Sequence, residues 1–261
     1  LDRQARDLFV RWAQDAGCTV RVDAIGNLFA RREGSEPGLP AVGTGSHIDT
    51  QPTGGKFDGN YGVLAGLEVL RTLADHGIRT RAPLELCVWT NEEGSRFVPV
   101  MMGSGVYAGA FTLEHALAAT DREGTSVRQA LAAIGYAGTA PAALADGAPR
   151  FGAFFEAHIE QGPVLEDTGD VIGVVTGALG QRWYDVVLTG LEAHAGPTPM
   201  DLRRDALQRW HPRGLQALAA AFHRHVVAAL QRTTVTSENK GTRSDAEHAL
   251  DPGYAQKLGV N

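Results

Sequence analysis

Cysteine is scarce: Cys18 and Cys87 are the only two in 261 residues. They lie far apart and form no Cys-x-x-Cys, so they read as two buried thiols in a reduced cytoplasm, not as catalytic groups. A positive charge excess is also missing. The 24 Lys and Arg stand against 30 Asp and Glu, a net charge of -6, which argues against a nucleic-acid-binding face. No apolar run reaches the length of a membrane span. No signal peptide is visible in a chain that begins at Leu1, and no solenoid-type repeat occurs. What is left is a globular composition, 43% hydrophobic and 21% charged, in a chain long enough for one large domain or two smaller ones. A cytoplasmic protein with no nucleic-acid or membrane partner is expected.

The periodicities alternate between helix and strand. Ala5, Leu8, Phe9, Trp12 and Ala13 predict a helix over 2–16, closed by Gly17. Two short strands, 19–22 and 27–30, flank an Ile25-Gly26 turn. Residues 31–38 read as a polar loop, 41–46 as a small-residue strand running into His47, and 60–73 as a helix with Asp58 just before it. The apolar run 84–89 predicts a buried strand, 113–119 and 127–134 predict helices, and 151–159 predicts a strand carrying His158 at its end. Residues 137–149, rich in Ala, Gly and Pro, read as a surface connection. This alternation predicts an α/β layered core. Near Val175 the pattern changes to a strand of period two around residues 183–189. The loop 190–200 carries two prolines and leads to a helix start at 201–207, which Pro212 and Gly214 interrupt. Beyond about Ser237 the chain is polar without period, and it reads as poorly ordered or foreign to the fold.

The chemistry collects at predicted strand ends. His47 and Asp49 form a His-x-Asp in which the carboxylate can accept the second imidazole N–H. By itself the pair reads equally well as a buried histidine with an unrelated aspartate. Asp58 sits among Gly54, Gly55 and Gly59; alone it would be taken for a helix cap. Glu92 and Glu93 are adjacent carboxylates that repel unless positive charge is near, or else a solvated acidic loop. His158 precedes Gln161 and the Gly162-Pro163 turn. Each bland reading is reasonable singly. Together, at the carboxyl ends of strands, the residues suit a pair of divalent metals with one carboxylate left over as a base. His194, in the second structural unit, fits a donor to developing oxyanion charge better than a ligand. His76, His115 and His248 read as surface residues, and His223 and His225 as part of a solvated basic stretch.

The segments GSHIDTQPTGGKFDGNYGVLAGLEVL, WTNEEGSRFVPVMMGSGVYAG, EAHIEQGPVLE and VVTGALGQRWYDVVLTGLEAHAGPTPMDLRRDAL resemble the M20-type metallohydrolases. Within them they are similar to the branch of N-carbamoyl-L-amino acid hydrolases, allantoate amidohydrolases and β-ureidopropionases. The resemblance runs from near Ala5 to about Leu207. It implies that His47, Asp58, Glu93 and His158 are metal ligands, with Asp58 bridging. It implies that Glu92 is the general base, Asp49 the partner of His47, Gln161 a contact to the substrate's carboxylate end, and His194 a lid residue that reaches the reacting carbonyl. The cofactor implied is two divalent ions, for which His and carboxylate ligands admit Zn, Mn, Co or Ni. The activity implied is hydrolysis of a linear ureido C–N bond in a small-molecule substrate, by a homodimer formed through the lid. The alternatives are an M20 aminopeptidase or deacylase, and an inactive remnant.

The implied fold is α/β: a catalytic layered α/β domain with a mixed sheet (1–175) and the start of a smaller α/β lid domain (176–207). Nothing in 208–261 matches the family's further metal-binding His, which follows the lid in a Gly-His context, or its substrate-holding lid Asn and Arg. Residues 208–261 are therefore expected to be an unmatched, disordered or frame-shifted tail, leaving one ion short of a ligand.

Overall fold

The computed structural model describes residues 1–142, 151–177, 185–194, 196–199, 201–202, 204, 232–235 and 245–246. They belong to two compact units, Leu1–Val171 and Ile172–Asn261.

The first unit is built on a five-stranded mixed sheet. Helix α1 (Asp2–Asp15) buries Phe9 and Ala13 and ends where Gly17, at φ 77°, sends its N–H back to the Gln14 carbonyl. Strands β1 (Thr19–Val22) and β2 (Leu28–Arg32) pair antiparallel. β2 runs two residues into the predicted polar loop. Arg31 and Arg32 stay in the ladder opposite Glu85 and Leu84, and Arg31 pairs with the buried Glu85 carboxylate. Strand β3 (Ala41–His47), helix α2 (Asp58–Asp75) and strand β4 (Leu84–Trp89) form a βαβ unit, with β3 and β4 parallel and His47 opposite Trp89. Strand β5 (Phe151–Phe155) lies parallel to β3 at the edge, giving the order β1-β2-β4-β3-β5. The carboxyl ends of β3, β4 and β5 thus share one side of the sheet.

Alternation along β4 divides the core. Leu86 and Val88 join Phe9, Leu28, Val63, Leu67, Leu70 and Met102 on one face. Cys87 and Trp89 join Phe29 and Tyr107 on the other. Cys18 and Cys87 are both buried, and no disulfide joins them. Helix α3 (Met102–Tyr107) has no apolar period in the sequence because it is short and contains Gly103 and Gly105. Helices α4 (Leu113–Ala118) and α5 (Val127–Ile134) match their predicted spans. Thr112 caps α4, and a Ser126/Gln129 capping box starts α5.

Two expectations need correction. α2 begins at Asp58, so that residue occupies the first turn and Phe57 the cap position. The strand expected over 151–159 stops at Phe155; residues 156–160 have no regular structure, and the short helix α6 (Val164–Thr168) follows. His158 therefore lies three residues past the strand rather than on it.

In the second unit, β6 (Asp185–Leu188) pairs parallel with β7 (Arg232–Val235), which pairs antiparallel with β8 (Asp245–Ala246). β7 and β8 both fall in the segment expected to be an unstructured tail, and β8 lies beyond Ser237, where the sequence shows no apolar period. Asp201 and Leu202 form a turn. The rest of the helix expected at 201–207 lies outside the described residues apart from Arg204, as do Pro212, Gly214, His223, His225 and His248.

Candidate metal centre

Glycines set helix α2 directly against the strands it crosses. A Cβ on Gly66 would meet Leu86 Cδ1 at 2.5 Å and Thr44 Cγ2 at 2.9 Å, and one on Gly62 would meet Ser46 Cβ at 2.9 Å. At Gly59 a Cβ would lie 2.4 Å from His47 Nε2. The bare backbone at 59 lets the imidazole at the end of β3 lie against the first turn of α2, where Asp58 sits.

Five predicted site residues of the first unit converge there. His47 is 2% exposed, and its Nδ1 lies 2.9 Å from the Asp49 main-chain oxygen. His158 repeats the arrangement: its Nδ1 is 2.7 Å from the Ile159 oxygen. With Nδ1 of each ring against a carbonyl, Nε2 is the nitrogen turned inward and the one that would serve as a metal ligand. His158 Nε2 is 3.1 Å from Asp58 Oδ1, and Asp58 is 2% exposed. Ligand atoms of His47, Asp58 and His158 all lie within 4.8 Å of one another. Glu93 lies outside that set of three but next to it: its carboxyl meets that of Asp58, while Oε2 accepts from Gln51 Nε2 at 2.7 Å. Glu93 Oε1 is buried and has no hydrogen-bond partner among the described residues. Glu92 faces the same cluster, with Oε2 3.4 Å from His47 Nε2.

The local charge is lopsided. Burial raises the Glu92 pKa, the negative charges of Asp49, Glu156 and Asp58 raise it further, and His47 opposes them. Burial and the contact with Asp58 raise Glu93, against the Gln51 amide. Crowded carboxylates, two inward imidazole nitrogens and an orphaned buried carboxylate oxygen fit a divalent cation, whose ligands must be deprotonated.

Asp49 meets His47 in two ways and reaches beyond it. Its carboxylate lies 3.6 Å from His47 Nδ1, and it is the main-chain oxygen that holds the ring. The carboxylate instead accepts the backbone N–H groups of Glu92 (3.2 Å) and Glu93 (3.1 Å). It fixes the acidic pair by the backbone. Gln161, at φ 55°, donates to Asp58 Oδ1 at 2.7 Å. His194 belongs to the second unit, where it is exposed and its Nδ1 accepts the Gly196 amide at 3.1 Å. His76 and His115 are exposed, as expected of surface residues.

Sequence reasoning assigned no role to Glu156 or Gln51. Ser46 Oγ donates to Glu156 Oε1 at 2.5 Å, placing a further carboxylate beside the cluster. Its one signal is the spacing of two residues before His158. Gln51 carries no signal, because it reaches Glu93 across 42 residues of sequence.

The descriptor "Peptidase family M20/M25/M40" matches residues 43–255, a span that extends past Leu207. The chain is 50% identical over 205 residues to an N-carbamoyl-L-amino-acid amidohydrolase of Rhizobium meliloti, covering 78% of this chain and 48% of that one. It is 41% identical over 227 residues to a ureidoglycolate hydrolase of Arabidopsis thaliana, covering 84% and 46%. A crystal structure of an amidase of the hydantoinase/carbamoylase family from Burkholderia vietnamiensis superposes with a TM-score of 0.71 at 49% identity, covering 86% of this chain and 54% of that one. The chain spans about half the length of the curated relatives it matches. With that span matched and that centre assembled at the carboxyl edge of an α/β sheet, the chain belongs to peptidase family M20/M25/M40.

Proposed function

We propose that this chain supplies the metal-binding part of an amidohydrolase that cleaves a linear ureido C–N bond, as in an N-carbamoyl amino acid. The observation that carries the reading is the division within the cluster. His47, Asp58 and His158 bring ligand atoms within 4.8 Å of one another with Glu93 beside Asp58, and Glu92 stands next to His47 as a half-buried carboxylate with its pKa raised. The names of the relatives above support the ureido substrate over a peptide.

His47, Asp58, Glu93 and His158 would hold two divalent ions of Zn, Mn, Co or Ni type, with Asp58 shared. Bound there, such ions lower the pKa of water and polarise a carbonyl oxygen. Glu92 removes the proton from the attacking water. The water oxygen bonds to the ureido carbon, and Glu92 returns the proton to the leaving nitrogen as the C–N bond breaks. The products are an amine and a carbamate, which decays to ammonia and carbon dioxide. Asp49 keeps Glu92 and Glu93 in place through their amides. Gln161 orients Asp58 and binds the substrate's carboxylate end. His194, from a lid that also forms a homodimer, donates to the oxyanion. A cytoplasmic location accords with this chemistry; no described helix is long and apolar enough to cross a membrane.

The test is an assay of the metal-loaded protein on N-carbamoyl amino acids, allantoate, ureidoglycolate and dipeptides. Ammonia release from the ureido compounds alone is expected. Dipeptide cleavage with the ureido compounds untouched would overturn the reading in favour of an aminopeptidase. Glu92→Gln should lower turnover on the order of 10²–10⁴-fold while retaining the metal content of wild type. Near-normal turnover in that variant would remove Glu92 as the base.

A further inference from the structure

We infer that Asn27 is a positioning residue for Glu92 and Glu93, acting from behind the site through the backbone of Thr90. Its effect on turnover rests on the hydrolytic reading above; its effect on the backbone does not.

Asn27 is fully buried, and its side-chain hydrogen bonds go to Asp23, Gly103 and Thr90 rather than to the metal-centre residues. The β2–β4 ladder ends at the Leu28–Val88 pair, two residues short of Thr90. Beyond it the Asn27 side chain takes over. Oδ1 accepts the Thr90 N–H at 2.9 Å, and Nδ2 donates to the Gly103 oxygen at 3.1 Å and to Asp23 Oδ2 at 2.9 Å. One amide thus clips the segment that leaves β4 to the first turn of α3. Main-chain bonds complete the clip: Gly103 N–H to the Thr90 oxygen (2.8 Å) and Met101 N–H to the Glu92 oxygen (2.7 Å). Arg6, itself 3% exposed, ties the same point from α1, to the Gly26 oxygen at 2.6 Å and Thr90 Oγ1 at 3.3 Å.

Only a group that both donates and accepts can do this, because Thr90 presents an N–H and Gly103 a carbonyl. The space is shaped for it: a Cβ on Gly103 would come 2.1 Å from Asn27 Oδ1. The amides of Thr90, Glu92 and Glu93 thus all end on side chains, the first on Asn27 and the other two on Asp49. Asp49 holds the acidic pair from the site, and Asn27 holds its root from the rear.

Asn27→Ala is compared with Leu117→Ala, a core change in α4 brought to equal global stability with mild denaturant. Amide hydrogen exchange is read over residues 88–103 in the metal-free protein. In Asn27→Ala, exchange at 90–93 should rise on the order of tenfold above that of β4 itself, with no such rise in Leu117→Ala. Co²⁺ affinity, read by titration, should fall about 10–100-fold, as for other groups that orient ligands. If the hydrolytic reading holds, kcat should drop on the order of 10²-fold with KM changed far less. If the protein turns over nothing, exchange and Co²⁺ titration still decide, so the two failures are distinguishable. Wild-type exchange and affinity in Asn27→Ala, or equal changes in Leu117→Ala, would overturn the inference. Should Asn27→Ala not fold, wild type alone serves: Thr90 must be protected like the β4 amides, and loop-like exchange there overturns the clip.

Discussion

Glu92 and Glu93 are neighbours in the chain with different surroundings. Glu93 meets Asp58 and Gln51, with one oxygen buried and without a hydrogen-bond partner among the described residues, while Glu92 meets the edge of the His47 ring. A buried carboxylate outside the metal centre gives a cleaner pH test than either. Asp23 accepts from the Ile25 and Asn27 amides and from the Asn27 side chain, yet burial outweighs these bonds and pushes its pKa from 3.8 up to about 6. The folded state therefore binds this proton more tightly than the unfolded state. The associated stability is complete below about pH 3.8 and is lost as pH rises through about 6, an amount of about 3 kcal/mol. Asp23→Asn carries no titrating proton there. Denaturation of both proteins across that window should show wild type losing ground to the variant as pH rises. Parallel curves would mean that Asp23 binds its proton equally in the folded and unfolded states, so that folding does not shift its pKa.

At the residue scale the sequence marked His47, Asp58, Glu92, Glu93 and His158 as candidates by their joint occurrence at predicted strand ends, while their individual roles came from the family resemblance. What was not legible is contact across distance. Asp49 gives its carboxylate to two backbone amides more than 40 residues away, and no spacing rule points to that. Glu156 and Gln51 were invisible for the same reason.

Among elements, α2 decides the site. Its glycines at 59, 62 and 66 recur on the face turned to the sheet, and their lack of side chains lets Asp58 approach His47. Two Ala substitutions separate packing from ligation. In Gly66→Ala the added methyl meets the flexible end of Leu86 at 2.5 Å, and a loss of about 1–3 kcal/mol is expected with metal binding kept. In Gly59→Ala it meets the His47 ring at 2.2 Å, and metal binding should go with the stability. Denaturation and metal titration on both variants check this; equal metal affinity in the two would show that His47 is not held by α2. The periodic helices α1 and α5 were readable because their burial follows one period, and β4 because it is a continuous run buried on both faces. α3 was not, since six residues with two glycines show no apolar period. The end of β2 was misread because its arginines look solvated by composition, while Arg31 pairs with buried Glu85 in the ladder.

At the scale of the whole molecule, the mixed α/β sheet brings three parallel strand ends to one side, and the metal centre follows from that topology. The α/β class was legible from the alternation of periods. The pairing of β7 with β6 and of β8 with β7 was not, because short polar strands carry no apolar pattern. His47, Asp58, Glu93 and His158 are expected to form a divalent metal site in the folded chain. The most direct measurement is the metal content of protein equilibrated with Zn²⁺ or Mn²⁺ and then freed of loose ions, for wild type, Glu92→Gln and His47→Ala. Wild type and Glu92→Gln should retain metal, with unfolding shifted by about 2.7 kcal/mol at a hundredfold excess over Kd, and His47→Ala should lose both. Metal retained equally by His47→Ala, or by none of the three, would contradict it.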